Sequence, residues 1–121
     1  MDGRPLKPVR WVGSSRKDVR SFPRAVRLEI GQALYAAQQG ETDPAAKVLS
    51  GFGGGNVCEI ITLEVGGTWR TVYTVGFKDA IYVLHAFQKK SKKGKRTTKN
   101  DMDLVWQRLA DAEKHHRERQ N

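Results

Sequence analysis

From residue 57 to residue 87 the chain carries three apolar runs whose composition suits a sheet. VCEIITLEV, TWRTVYTV and AIYVLHAF are rich in β-branched and aromatic residues, which fit a pleated, half-buried surface. Gly66-Gly67 interrupts the first pair of runs and reads as a two-residue hairpin turn. Lys78-Asp79 interrupts the second pair and reads as another turn. The middle of the chain is therefore expected to form a three-stranded antiparallel meander.

Upstream the period lengthens. Residues 9–12 (VRWV) read as a short first strand, broken by Gly13 and Ser14. Ser15 and Asp18 make an S-x-x-D helix-start signal, with Val19 and Phe22 as apolar contacts. Pro23 suits the first turn of a second helix. Val26, Ile30, Ala33, Leu34 and Ala37 follow at helical spacing, and Gly40 ends the pattern. Gly31 lies inside it and suggests close packing against the first helix. Residues 41–56, which include GFGGGN, read as a connection. That stretch is not a phosphate-binding loop, because no Gly-Lys-Ser/Thr follows and the next run is a strand. Downstream, Thr98 and Asp101 make T-x-x-D, a second helix start, with Met102, Val105, Trp106 and Leu109 on one face.

These elements define a single α+β domain over residues 1–121. A small antiparallel sheet, made of the short N-terminal strand and the meander, packs against an N-terminal helical hairpin and is followed by a C-terminal helix. Residues 1–8, with Gly3, Pro5 and Pro8, are read as a loose lead-in. Residues 110–121 are read as a charged helix end, whose cations suit the negative end of the helix dipole.

The two turns set a register. A turn at Gly66-Gly67 pairs Leu63 with Arg70; a turn at Lys78-Asp79 places Arg70 opposite Phe87 and Val72 opposite His85. Alternation along each strand then sorts the side chains. Ile60, Trp69, Tyr73, Val75, Tyr82 and Leu84 share the face expected to meet the helices. Glu59, Arg70, Thr74, His85 and Phe87 share the other. Arg70 and His85 become diagonal neighbours, about 7–8 Å apart at the backbone.

Charge adds a candidate function to this second face. The formal net charge is +9, which favours polyanionic partners, nucleic acid first. Seven lysines and arginines fall within residues 89–99, with no acid among them. Lys89 and Lys90 leave the last strand beside Arg70 and His85. Lys92, Lys93, Lys95, Arg96 and Lys99 follow as an RNA-backbone contact, or as a solvated basic tail. An arginine in such a place clamps a phosphate or pairs with an acid. A histidine moves a proton near neutral pH or packs in the strand. Glu59 joins the chemistry or serves as partner to a nearby cation.

Other chemistry has less support. Cys58, the lone cysteine, excludes an intrachain disulfide and reads as a buried small hydrophobe rather than a nucleophile. His115-His116 do not face one way on a helix, so no metal site and no cofactor are expected. No secretory signal and no apolar span of membrane length are visible, so a cytoplasmic protein without a membrane partner is expected.

WVGSSRKDVRSFP, LYAAQQGE, WRTVYTV and YVLHAFQKKSKK are similar to segments of phage-related proteins of the RelE/HigB toxin superfamily. The similarity runs from Val9 to about Leu109. It implies a RelE-like fold and the toxin of a type II toxin–antitoxin pair. Such toxins are metal-independent endoribonucleases (mRNA interferases) that cut translated messenger RNA, usually in the ribosomal A site, and are neutralised by a helix-turn-helix antitoxin. The resemblance aligns Arg70 with the family's central-strand arginine, and Lys89 and Lys90 with its basic residues after the last strand. RelE itself places a tyrosine after that strand, and this chain has none there. His85 is therefore a proton-transfer candidate from local chemistry only. The competing readings are a non-catalytic basic module that binds nucleic acid, and a phage-derived interaction protein.

Overall fold

The computed structural model describes residues 5–52, 56–89 and 98–120. In chain order these form β1 (Val9–Trp11), α1 (Ser15–Arg20), α2 (Arg24–Gln38), β2 (Ala46–Val48), β3 (Val57–Glu64), β4 (Gly67–Thr74), β5 (Ile81–Lys89) and α3 (Lys99–Gln120). The architecture is α+β, with a five-stranded sheet in the order β1-β5-β4-β3-β2. β1 runs parallel to β5 and every other pairing is antiparallel. Among the described residues no helix is long and apolar enough to cross a membrane.

Helices cover both faces of this sheet. Val26, Ile30, Ala33, Leu34 and Ala37 of α2 are all buried and pack with Cys58, Ile60, Trp69, Tyr73, Ile81 and Val83. The opposite face buries Val57, Val72, Tyr82 and Leu84 under Val105 and Ala112 of α3. Burying two sheet faces and three helix stripes is what lets a short chain hold a five-stranded sheet. The lead-in is anchored at its end, where Lys7 and Gln38 exchange hydrogen bonds, Lys7 N to Gln38 O at 3.2 Å and Gln38 Nε2 to Lys7 O at 2.7 Å.

Several local expectations are corrected. Ser14, not Ser15, stands at the N-terminus of α1 and donates to Asp18 Oδ2 at 2.7 Å. Ser15 is buried, and its hydroxyl donates to Val83 O at 3.1 Å, tying α1 to β5. Gly31 has nothing within 4 Å of where a Cβ would stand, so it serves no close packing. Residues 41–56 are not all loop. The Asp43 carboxylate accepts from Ala45 N at 2.8 Å, and the chain leaving that turn pairs as β2 with β3.

The register differs at both turns. The β3–β4 turn is Val65-Gly66, with Glu64 opposite Gly67 and Ile61 opposite Arg70. Gly66 has φ of +104°, so the turn's single left-handed position falls on the residue that tolerates it. The shift is two residues, so no side chain changes face. At the second turn, β4 stops at Thr74 and β5 begins at Ile81, leaving a six-residue connection in place of a two-residue turn. Arg70 still faces Phe87 and Val72 faces His85, but Tyr73 faces Val83. Leu84 is therefore the extra residue of a bulge. Tyr82 and Leu84 consequently join the α3 face, not the Trp69–Tyr73 face as the simple alternation implied.

Candidate functional site

The second sheet face collects charge at the end where β5 finishes. Three neighbouring strands contribute Glu59 from β3, Arg70 from β4, and His85, Phe87 and Lys89 from β5. Beyond the bulge at Leu84, plain alternation along β5 puts His85, Phe87 and Lys89 on the same side as Arg70.

Arg70 and Glu59 form a buried ion pair. Nη1 donates to Oε1 at 2.7 Å, and their side chains are 8 % and 1 % exposed. They are diagonal neighbours, since Arg70 pairs with Ile61 and Val72 with Glu59. Such a pair withstands the cost of leaving water because its geometry is good, and loss of either partner strands a charge.

His85 lies diagonal to Arg70 on the other side. Its Nε2 is 2.8 Å from Asp101 Oδ1 in the first turn of α3, and its ring stacks on Phe87 with centroids 4.8 Å apart and planes 22° apart. Asp101 is itself held. Thr98 Oγ1 donates to Asp101 Oδ2 at 2.6 Å, and Asp101 N donates to Thr98 Oγ1 at 3.2 Å. The T-x-x-D cap thus serves two ends: it starts α3 and aims a carboxylate at the histidine. With Asp101 accepting from Nε2, the neutral ring presents Nδ1 as its acceptor. Nδ1 is enclosed and has no hydrogen-bond partner among the described residues.

Lys89 is half-buried at the open end of the cluster. Burial, then the Arg70 guanidinium, push its amine below the ordinary lysine value; the Glu59 and Asp101 carboxylates act the other way. Two carboxylates, a guanidinium, an ammonium and an imidazole therefore sense one another at one end of the sheet. Chemically, the set can hold an anion near Arg70 and Lys89 and move a proton at His85.

The structure brings Glu59, Arg70, His85 and Lys89 together. Lys99 is exposed in the first turn of α3, two residues before Asp101. Lys90, Lys92, Lys93, Lys95 and Arg96 lie outside the described residues. Asp101 is the member that sequence reasoning missed. Its signal was present as the helix-start motif, but a cap carries no hint of a partner across the fold. Cys58 is buried, and burial raises its thiol above its ordinary range, so it stays protonated and apart from this chemistry. His115 contacts Tyr82 and His116 contacts Phe77, so the two rings diverge.

A search of curated proteins returns no match to the chain. The family described as "Phage derived protein Gp49-like (DUF891)" matches residues 17–110, from α1 through the first half of α3, and so spans both charged pairs of the cluster. The chain belongs to this phage-derived Gp49-like family, a RelE/HigB-like family of toxins in toxin–antitoxin systems.

Proposed function

We propose that the protein is the toxin of a type II pair and acts as a metal-independent endoribonuclease on translated messenger RNA. The observation that carries this reading is the diagonal placement of Arg70 and the Asp101-held His85, within the part of the chain that matches the family. In the reaction, the ribose 2′-oxygen attacks the adjacent phosphorus and the 5′-oxygen leaves. The sugar supplies the nucleophile, so the protein need only move protons and steady the crowded phosphate. His85 moves the proton, Asp101 and Phe87 orient its ring, and Arg70 and Lys89 stabilise the charge that builds on the phosphate oxygens. Glu59 fixes the guanidinium. Because Nδ1 is enclosed, its surroundings have to open for a substrate oxygen to reach it. Lys90 belongs with Lys89 in this reading, while Lys92, Lys93, Lys95, Arg96 and Lys99 follow the RNA backbone, which gives affinity with little sequence information. The partner that silences the toxin is a helix-turn-helix antitoxin, and the cut falls in the ribosomal A site.

One observation favours a second reading. Both charged pairs are largely buried and internally matched, which also suits a non-catalytic basic module that binds RNA.

Cleavage by purified protein on translating ribosomes, mapped by primer extension, separates the two. Cuts within translated frames are expected, with His85→Gln and Asp101→Asn each lowering the single-turnover rate. Arg70→Lys, which keeps the charge but not the planar fork, is expected to lower it by about 10²–10³. Intact transcripts in the presence of tight ribosome binding support the second reading and overturn the first.

A further inference from the structure

α3 carries three polar side chains spaced seven residues apart, Asp101, Arg108 and His115. Seven residues make about two helical turns, so the three stand in one row. Each of them reaches β5. Asp101 Oδ1 is 2.8 Å from His85 Nε2, Arg108 Nη1 donates to Leu84 O at 2.9 Å, and His115 Nδ1 is 2.7 Å from the Tyr82 hydroxyl. The first contact belongs to the charged cluster and the third lies toward the far end of the helix.

Arg108, the middle one, is fixed on three sides. Besides Leu84 O, its guanidinium donates from Nη2 to Ser14 Oγ at 3.1 Å, and Ser14 in turn donates to Asp18 Oδ2. Its third neighbour is Gly13, where a Cβ would stand 2.7 Å from Arg108 Cζ and Nε. Gly13 also has φ of +58°, so glycine there answers both a backbone and a space requirement. Leu84 is the bulge residue, fully buried and without a partner in the β4 or the β1 register. A buried carbonyl needs a donor, and Arg108 supplies it. The preceding carbonyl, Val83 O, accepts from Val12 N at 3.0 Å and from Ser15 Oγ at 3.1 Å. The backbone that enters His85 is therefore held at two consecutive carbonyls.

The apolar packing of α3 sets its position less sharply. Val105 and Ala112 are its buried residues, and apolar burial is non-directional, so it tolerates sliding and rotation. A planar guanidinium fork on fixed acceptors does not. We propose that Arg108 is the positioning residue of the His85–Asp101 pair. Its fork fixes the bulge backbone that carries His85, and its stem fixes the helix that carries Asp101. The consequence for catalysis rests on the cleavage reading; the placement of the pair does not.

The test is the His85 Nε2–H signal in proton NMR of the full-length protein, assigned with His85→Gln. A hydrogen bond to a carboxylate moves this proton downfield and slows its exchange with water, so the unaltered protein is expected to show it protected. Arg108→Met keeps the stem and loses the fork, and exchange is expected to quicken by about tenfold or more, the worth of one charge-assisted hydrogen bond. Gly13→Ala keeps Arg108 but pushes its guanidinium off its seat. The same direction of change is expected, and this variant guards against a fold lost in Arg108→Met. His115→Phe frees the contact with Tyr82 alone and is expected to leave the protection unchanged. Undiminished protection in folded Arg108→Met or in Gly13→Ala overturns the proposal. So does an equal loss in His115→Phe, which would make any loosening of α3 sufficient, and so does a signal unprotected in the unaltered protein. Single-turnover cleavage on ribosomes is expected to slow in Arg108→Met and Gly13→Ala; a rate unchanged despite lost protection overturns the positioning role. Absence of cleavage by the unaltered protein defeats the cleavage reading instead, and the NMR signal still decides the placement.

Discussion

Arg70 Nη1 and Glu59 Oε1 lie 2.7 Å apart on adjacent strands, with both side chains buried. This contact changes how Arg70 can be tested. Arg70→Ala strands the Glu59 carboxylate in the core and is expected to destabilise the fold by about 3–5 kcal/mol. The double change Arg70→Met/Glu59→Leu is expected to recover most of that loss, because no buried charge remains. Urea unfolding of the single and double variants measures this. Equal stability of Arg70→Ala and the unaltered protein would show that the pair is not buried in solution. Loss of activity in Arg70→Ala therefore has to be read beside Arg70→Lys.

The Thr98–Asp101–His85 chain couples a helix cap to the sheet. Thr98→Ala removes the cap and the hydroxyl that holds the Asp101 carboxylate, and is expected to cost about 1 kcal/mol. Asp101→Ala also removes the histidine's partner and is expected to cost about 1–2 kcal/mol more. A cycle of Asp101→Ala and His85→Leu, measured by denaturant unfolding, is expected to show coupling between the two sites. Simple additivity would mean that the 2.8 Å contact contributes nothing in solution.

Gly31 lies in the middle of α2, on its exposed side, with open space where a Cβ would stand. Glycine there exposes backbone and costs chain entropy without a packing reason. Gly31→Ala is expected to stabilise the protein by about 1 kcal/mol, read as a raised urea midpoint with an unchanged slope. A lower midpoint would reveal a constraint on α2 that the isolated chain does not show.

Cys58 and Tyr73 contact each other in the core, and burial raises both above their ordinary values of 9.0 and 10.0. The folded state holds these protons more tightly than the unfolded state. The resulting stability is fully present below the ordinary values and is lost as pH rises through the folded ones. Unfolding free energy is therefore expected to fall from about pH 9 upward, with Cys58→Ala delaying the onset to about pH 10. Lys89 acts in the opposite sense, since its amine is lowered from 10.5, and partly offsets the fall. Denaturant midpoints across pH 7–11 measure the balance. An unchanged onset in Cys58→Ala would exclude the thiol as its source.

The apolar periods of α2, the composition of the three long strands and the T-x-x-D start of α3 are local properties, and each element forms where its own residues favour it. Even the face shared by Glu59, Arg70 and His85 follows from alternation, because an error of two residues in a turn leaves faces unchanged. Four features required the assembled fold. β2 (Ala46–Val48) is too short to declare itself, and exists because the longer β3 beside it supplies hydrogen-bond partners. The Leu84 bulge answers the packing of α3, which draws Tyr82 and Leu84 to its side; no turn residue encodes that. Ser15 shows its role only when Val83 arrives beside it. Asp101 completes the site from sixteen residues beyond His85, and a capping motif looks the same in sequence whether its carboxylate faces water or an imidazole. Local preference is written residue by residue, whereas a contact across the fold depends on where two elements meet, and only packing decides that.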